Sequence, residues 1–204
     1  MKKLICDSKL LTGLILAHVL LYFSFNDKSI FWYIFSGSIL ALIIFTMLKG
    51  EMDDQLSIPR SIGWGVITGL LLYFIFWAGY HFLEFIDFSF RKEISRLYKW
   101  FAPSLFWQYL SLVFVAAPGE ELFWRGFVQK RLLHSLKPIP SILIGAFLYG
   151  SVHIYSGSLL LIFAAFLSGL VWGVLYFWKK SMPLVIVSHI IFDIMLFIVA
   201  PLPW

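Results

Sequence analysis

Long apolar runs separated by short polar segments make up most of this chain. Seven runs stand out, at about 10–25, 30–48, 62–86, 104–118, 140–155, 158–178 and 183–200. A helix needs roughly 17 to 25 apolar residues to cross the hydrocarbon core of a bilayer, and most of the runs come close to that length. We therefore predict an all-α fold, a polytopic transmembrane helix bundle of about seven spans. A count of six to eight spans is compatible with the sequence, because the ends of the runs are defined only to within a few residues.

The basic residues lie between the apolar runs and predict an orientation. Three groups fall on one side of the membrane if the N-terminus is inside: Lys2, Lys3 and Lys9; Arg125, Lys130, Arg131 and Lys137; Lys179 and Lys180. Because cytoplasmic loops are enriched in Lys and Arg, we expect a multi-pass protein of the cell membrane with a cytoplasmic N-terminus. The first run follows a basic start, as in a signal peptide, but no cleavage site of small residues comes after it. We therefore predict an uncleaved first helix.

One linker does not fit this distribution of charge. The segment near 88–102, which contains "RKEISRLYKW", carries four positive charges yet falls on the opposite side. Its apolar residues recur at helical spacing, at Ile94, Leu97, Tyr98 and Phe101. We interpret the segment as an amphipathic helix at the membrane surface, where basic side chains meet lipid headgroups.

The composition excludes several classes of protein. Because 61% of the residues are hydrophobic and only 13% are charged, a soluble domain of 204 residues could not bury its apolar surface. The net charge of +5 is spread over short loops, so we expect contact with the lipid bilayer and no nucleic acid among the partners. The single cysteine, Cys6, excludes an intramolecular disulfide framework and a cysteine-based metal cluster.

Small and aromatic residues in the runs point to packing. Gly65 and Gly69, and also Gly169 and Gly173, are four residues apart, a spacing that lets two helix backbones approach closely. The many tryptophans, Trp172 among them, are interpreted as interface anchors or core residues.

Ionisable residues inside the apolar runs are few, and such residues are costly in a membrane and mostly functional. They form three sets: Glu120, Glu121 and Arg125; His153; and His189 with Asp193. The first set follows Pro118-Gly119, where we predict a break or kink in the helix. Each set alone has an ordinary structural explanation, such as a clamp at a helix end or a buried core histidine. Three sets in three separate runs favour a functional site.

Helical geometry separates the two glutamates. Glu121 and Arg125 are four residues apart with the acid first, the favourable order for an ion pair on one face. Glu120 points about 100° away from Glu121 and has no basic residue three or four positions on, which suits a general acid or base. His189 and Asp193 are also four apart and within reach of a side-chain hydrogen bond.

The order of these residues resembles the CAAX protease and bacteriocin-processing family, the Abi-type intramembrane endopeptidases. That family carries Glu-Glu-x-x-x-Arg, then Phe-x-x-x-His, then His-x-x-x-Asn or Asp, on separate helices. The corresponding stretches here are "EELFWR", "YGSVH" with Tyr149 in place of Phe, and "HIIFD" with Asp193. The resemblance covers about 104–200, which it implies to be the catalytic membrane core. The region 1–100 matches only in its apolar character and is expected to be a variable set of transmembrane helices.

The resemblance implies an intramembrane endopeptidase that acts on a peptide or membrane-protein substrate, such as a bacteriocin or other apolar precursor. The catalytic residues it implies are Glu120, His153, His189 and Asp193, with Glu121, Arg125 and Tyr149 in supporting positions. Glu120 and His153 would activate a water, and His189 with residue 193 would stabilise the oxyanion.

Asp193 raises a difficulty, because an ionised carboxylate would repel the developing oxyanion. Either burial keeps Asp193 protonated, or Asp193 accepts the ring N–H of His189 and His189 donates to the oxyanion. The spacing of four residues favours the second alternative. No cofactor is required in this scheme. A divalent metal such as zinc is the other possibility, with Glu120, His153 and His189 as its ligands.

Two other functions stay open. The first is a non-proteolytic membrane scaffold or bacteriocin-immunity protein, which keeps the fold and binds a partner protein. The second is a proton-coupled transporter, which also uses buried Glu, His and Asp but predicts an inverted repeat, and none is visible in the sequence. One structural criterion applies to the enzyme: Glu120, His153 and His189 must converge on one cavity.

Overall fold

The computed structural model describes residues 7–49, 57–86 and 89–202. The predictions for Lys2, Lys3 and Cys6, and most of the linker between the second and third runs, lie outside these residues. The helices of the described part are α1 (Ser8–Asn26), α2 (Phe31–Lys49), α3 (Ile58–Ile86), α4 (Ser89–Phe101), α5 (Phe106–Ser135), α6 (Pro138–Ser151, followed by the 3₁₀ turn Val152–Ser156), α7 (Leu159–Lys179) and α8 (Met182–Ile194, followed by the π-helical turn Met195–Val199).

All regular structure in the described residues is helical, which confirms the predicted all-α fold. Six helices are long and apolar enough to cross a membrane, namely α1, α2, α3, α6, α7 and α8. Helices α4 and α5 are bent by 98° at the break between them, and together they supply up to a seventh span. The chain is therefore a multi-pass membrane protein, and the side on which its N-terminus lies stays a prediction.

Helix α5 corrects two predictions. The fourth run was expected to end near residue 118, with a break or kink at Pro118-Gly119, but the helix continues to Ser135, so the predicted end and the break are wrong. Arg125 was expected in a basic linker, yet both Arg125 and Gln129 are buried inside the bundle, each 2% exposed. The basic segment at that end of the molecule consequently begins at Lys130.

Two π-helical stretches of α5, Leu112–Ala116 and Leu122–Gln129, account for this continuity. In a regular α-helix the ring of Pro118 would clash with the carbonyl four residues earlier, and proline has no N–H to donate. In the wider turn before Pro118 the bonds reach back five residues, as from the Ala117 N–H to the Leu112 carbonyl. This shift of bonding accommodates the proline, and π-helical turns are frequent at functional sites.

The predicted amphipathic helix forms as α4. Ile94 is buried, whereas Arg91 and Lys99 are exposed. The Tyr98 hydroxyl donates to the Leu196 carbonyl at 2.7 Å, in the π-helical turn that follows α8. Helix α4 is thus anchored to the end of α8 and turned steeply away from α5, a geometry that suits a helix lying along a membrane surface.

The glycine pairs lie where helices approach closely, as predicted. Gly65 and Gly69 face α8, and a Cβ atom added at Gly69 would lie 2.5 Å from the Ser188 carbonyl oxygen and 2.8 Å from the Ile191 Cβ. Gly169 and Gly173 of α7 contact α6 and α5 less closely, since an added Cβ atom at either position would lie 3.0 Å from the nearest side-chain atom. Contact at these positions brings α3 against the stretch of α8 that carries the ionisable residues.

We expect Gly69→Ala to lower the free energy of unfolding by about 1–3 kcal/mol, because the methyl group has no space between α3 and α8. Gly79→Ala is the matched control, since it lies in the same helix and an added Cβ meets no atom within 4 Å. The control is expected to leave stability unchanged or slightly raised, as alanine is the better helix former. Unfolding in mixed detergent micelles measures the free energy of unfolding of both variants. Equal changes in the two would contradict the close approach of α3 and α8 at Gly69.

Candidate active site

Four ionisable side chains identified in the sequence line a single cavity of about 170 Å³ inside the bundle. Glu120 comes from α5, His153 from the 3₁₀ turn after α6, and His189 and Asp193 from α8. Three motifs that are far apart in the chain therefore converge on one space. This convergence is the arrangement that an enzyme requires.

Glu120 is buried and oriented by a tyrosine. The hydroxyl of Tyr149, on α6, donates a hydrogen bond of 2.5 Å to the Glu120 Oε2 atom. Tyr149 stands where the resembled family usually has phenylalanine, and its hydroxyl makes this contact. The bond holds one carboxylate oxygen of Glu120, so the other oxygen is available to a ligand in the cavity.

His153 is oriented by the same residue through its main chain. Its Nδ1 atom lies 2.9 Å from the Tyr149 carbonyl oxygen. Because a carbonyl only accepts hydrogen bonds, Nδ1 carries the proton and the neutral ring presents Nε2 as an acceptor. The Ser156 hydroxyl donates to the His153 carbonyl at 2.6 Å and stabilises the 3₁₀ turn. Tyr149 thus positions both Glu120 and His153.

Glu121 is fully buried and pairs as predicted with Arg125. Its Oε1 atom accepts from Arg125 Nη1 at 2.9 Å and from His189 Nδ1 at 2.8 Å. Arg125 also donates from Nη2 to the Gly169 carbonyl at 3.3 Å. The ion pair therefore joins α5, α7 and α8. Glu121 also orients His189, a contact that the spacing of residues along the chain did not predict.

The position of Asp193 corrects the interpretation favoured from the sequence. The ring N–H of His189 at Nδ1 is accepted by Glu121, on another helix, and not by Asp193. Asp193 lies on the opposite side of the ring, with Oδ2 3.6 Å from His189 Nε2, which is longer than an ordinary hydrogen bond. The residue that orients His189 is thus Glu121, and Asp193 is a neighbouring carboxyl group on the side of the cavity.

Aromatic residues that carry no recognisable motif complete the site. The indole of Trp172 lies stacked on the His189 ring, with 3.8 Å between ring centroids, so this tryptophan belongs to the site as well as to the core. Much of the apolar wall of the cavity comes from the N-terminal helices and α4, through Phe25, Phe31, Trp32, Phe35 and Phe101. The only sequence signal for these residues was the abundance of aromatic residues, which does not indicate where they lie.

The proposed metal-ligand set is not arranged as a metal site. Within the described residues, no group of three or more His, Cys, Asp or Glu side chains could hold a metal ion. Glu120 is bonded through Oε2 to Tyr149, His153 through Nδ1 to a main-chain carbonyl, and His189 through Nδ1 to Glu121. These bonds leave Oε1 of Glu120 and Nε2 of each histidine for a ligand, so the metal-free and the metal-dependent alternatives both stay predictions.

Comparison with known proteins identifies one family. Residues 102–195 match the family described as type II CAAX prenyl endopeptidase, Rce1-like. The matched segment contains the whole of α5 to α7 and all four ionisable residues of the cavity. No curated protein and no solved structure matches the chain.

Proposed function

Because residues 102–195 place this chain in the CAAX protease and bacteriocin-processing family, among its Rce1-like members, we propose that it hydrolyses peptide bonds with a water activated by Glu120 and His153. Membership of the family makes the chain a CAAX-type intramembrane endopeptidase in general terms. The observation that supports the proposed mechanism is the convergence of Glu120, His153 and His189 on one cavity inside the bundle.

In the proposed reaction a water lies between the Glu120 carboxylate and Nε2 of His153. The oxygen of the water attacks the carbonyl carbon of the substrate while Glu120 takes a proton from the water. His153 accepts a hydrogen bond from the same water. When the C–N bond breaks, Glu120 returns that proton to the amide nitrogen, so the carboxylate is regenerated. Tyr149 holds Oε2 of Glu120 and leaves Oε1 for this proton transfer.

The negative charge that forms on the substrate carbonyl oxygen needs a donor, and we assign this role to Nε2 of His189. Glu121 holds the proton at Nδ1, so a second proton at Nε2 makes His189 an imidazolium. We assign Asp193, with Oδ2 3.6 Å from Nε2, the protonated form, because an ionised carboxylate there would repel the oxyanion. The hydrogen bond from Nε2–H to the substrate carbonyl oxygen strengthens as negative charge develops on that oxygen in the transition state.

The composition of the cavity wall suits an apolar peptide segment. Ionisable groups line one part of the cavity, and aromatic side chains from α1, α2 and α4 line much of the rest. The scissile carbonyl would lie beside Glu120, with a bulky apolar side chain or lipid group against the aromatic wall. We therefore propose a membrane-anchored or apolar peptide, reached from the lipid bilayer, as the substrate.

The experiment that tests this function compares membrane peptidomes of cells that express the wild type and Glu120→Ala at equal levels. Processed peptides present with the wild type are expected to disappear with the variant. Glu93→Ala is the control, because it removes a half-exposed carboxylate of α4. If the wild type and Glu120→Ala give the same peptides, the non-proteolytic scaffold becomes the better explanation.

A further inference from the structure

The hydrogen bond to Glu121 does not by itself fix the orientation of the His189 ring. A single bond at Nδ1 holds one atom, so coupled changes of the side-chain torsions χ1 and χ2 can still tilt the ring plane while Nδ1 stays near the Glu121 Oε1 atom. The contact on the other side, from Nε2 to Asp193, is 3.6 Å long and restrains the ring weakly. The plane of the ring, and with it the direction of any bond from Nε2, needs a second constraint.

Trp172 provides a contact of the right kind. Its indole lies nearly parallel to the imidazole of His189, with 24° between the planes and 3.8 Å between the centroids. Among the described ring pairs this separation is unusually short, since aromatic pairs typically lie 4.5–7 Å apart. A flat surface at this distance prevents the imidazole from tilting towards α7.

The indole is itself held in place by a hydrogen bond to a serine that is bonded in turn to a third helix. Its Nε1–H donates to the Ser188 hydroxyl at 3.2 Å, and Ser188 immediately precedes His189 in α8. The Ser188 hydroxyl also accepts from the Thr68 hydroxyl of α3 at 3.1 Å. The plane of the indole is thus fixed relative to α8 itself, and Trp172 is only 1% exposed.

We infer that Trp172 is a positioning residue for His189: it fixes the plane of the imidazole so that Nε2 points into the cavity, and its π face stabilises the imidazolium form. Cations are attracted to the face of an indole, and the attraction is larger when both groups are desolvated. This inference rests on the proposed function, because it assigns a purpose to the orientation of His189. Trp172 acts through His189 and has no role in bond making or breaking.

Substitutions at Trp172 test this role in vesicles that contain the purified protein. We expect Trp172→Leu to lower kcat by about 10- to 100-fold with KM changed less than about twofold, since misplacing a catalytic group by an ångström has effects of that size. Trp172→Phe keeps a flat ring and is expected to recover most of kcat. Trp178→Leu is the control on the same helix, at a side chain that is 56% exposed, and should leave kcat unchanged.

Other results would overturn the inference. A residue that only fills space would give Leu and Phe variants with equal losses, or losses that follow stability and appear in KM. If Trp172→Leu does not fold, Ser188→Ala provides the test, because it removes the acceptor of the indole N–H and changes little volume. A several-fold lower kcat at unchanged KM supports the inference, and an unchanged kcat contradicts it.

A spectroscopic measurement separates this inference from the proposed function. In NMR spectra of protein labelled with ¹⁵N-histidine, the ring signals of His189 are identified as those that are missing from the spectrum of His189→Gln. One narrow set of ring signals is expected in the wild type and in Trp172→Phe, and broadened or doubled signals in Trp172→Leu. If neither the wild type nor any variant cleaves peptide but the signals behave as expected, the proposed function fails and the positioning role stands. Unchanged signals in Trp172→Leu refute the positioning role.

Discussion

Glu120→Gln is expected to lower kcat by about 10²–10⁴-fold, the range for loss of a general base. The amide keeps the size of the carboxylate, and its oxygen still accepts from the Tyr149 hydroxyl, so the fold should be retained. What it loses is the ability to take a proton from the attacking water. The measurement is kcat on a peptide from the peptidome comparison, with the protein in lipid vesicles, and the control Glu93→Gln should be unaffected.

The pairing of Glu120 with His153 makes this prediction sharper. If both residues act on one water, the double variant Glu120→Gln/His153→Ala should be scarcely slower than either single variant, because groups that act as a unit have non-additive effects. If the losses of kcat in the two single variants multiply in the double variant, the two residues act in different steps. That result would refute the proposal that they act on one water.

The same assay decides the role of a metal. A mechanism based on Glu120 and His153 predicts that kcat is unchanged after incubation with a strong chelator. A loss of activity that zinc restores would identify Glu120, His153 and His189 as ligands, through the atoms that their bonds to Tyr149, a main-chain carbonyl and Glu121 leave free. The mechanism would then need a metal-bound water in place of the carboxylate–imidazole pair.

The fold was predictable from hydropathy to the level of individual spans, because a bilayer imposes the same length on every crossing helix. Helix α5 is where that argument failed. Its second half carries Glu120, Glu121, Arg125 and Gln129, so its hydropathy falls although the helix continues. These polar side chains are satisfied inside the bundle, as when Gln129 donates to the Gly173 carbonyl at 2.8 Å. A hydropathy scale assigns each residue a fixed cost of entering the membrane, so it does not account for hydrogen-bond partners that other helices supply.

The candidate site was predictable where its geometry is local. The ion pair of Glu121 with Arg125, and the separation of Glu120 from it, follow from the spacing of residues in one helix. The partner of His189 was not predictable in this way, because Glu121 and His189 are 68 residues apart and their contact depends on how α5 packs against α8. The stacking of Trp172 on His189 was missed for the same reason. Local spacing identified Asp193, which is near in sequence but is not the hydrogen-bond partner.

The buried ion pair gives the second large prediction. We expect Arg125→Ala to lower the free energy of unfolding by about 3–5 kcal/mol, because it removes the guanidinium and leaves the buried Glu121 carboxylate with His189 as its remaining partner. Both side chains are almost completely inaccessible, 2% and 0% exposed, so water cannot compensate. Arg96→Ala is the matched control: Arg96 pairs with Glu93 on a half-exposed surface, where such pairs contribute about 0–1 kcal/mol. Unfolding in mixed micelles measures the loss for each variant, and equal losses would show that His189 alone is enough to stabilise the buried Glu121 carboxylate.

The double variant Glu121→Leu/Arg125→Met separates stability from catalysis at this ion pair. Replacing a buried ion pair by apolar residues of similar volume is often neutral or stabilising, so stability should return to within about 1–2 kcal/mol of the wild type. Activity should stay low, because His189 has lost the acceptor that holds its Nδ1 proton. A variant that is stable but inactive would show that Glu121 acts by orienting His189. If activity returned with stability, Glu121 would be only a structural residue, and the orientation of His189 would depend on Trp172 and Asp193 alone.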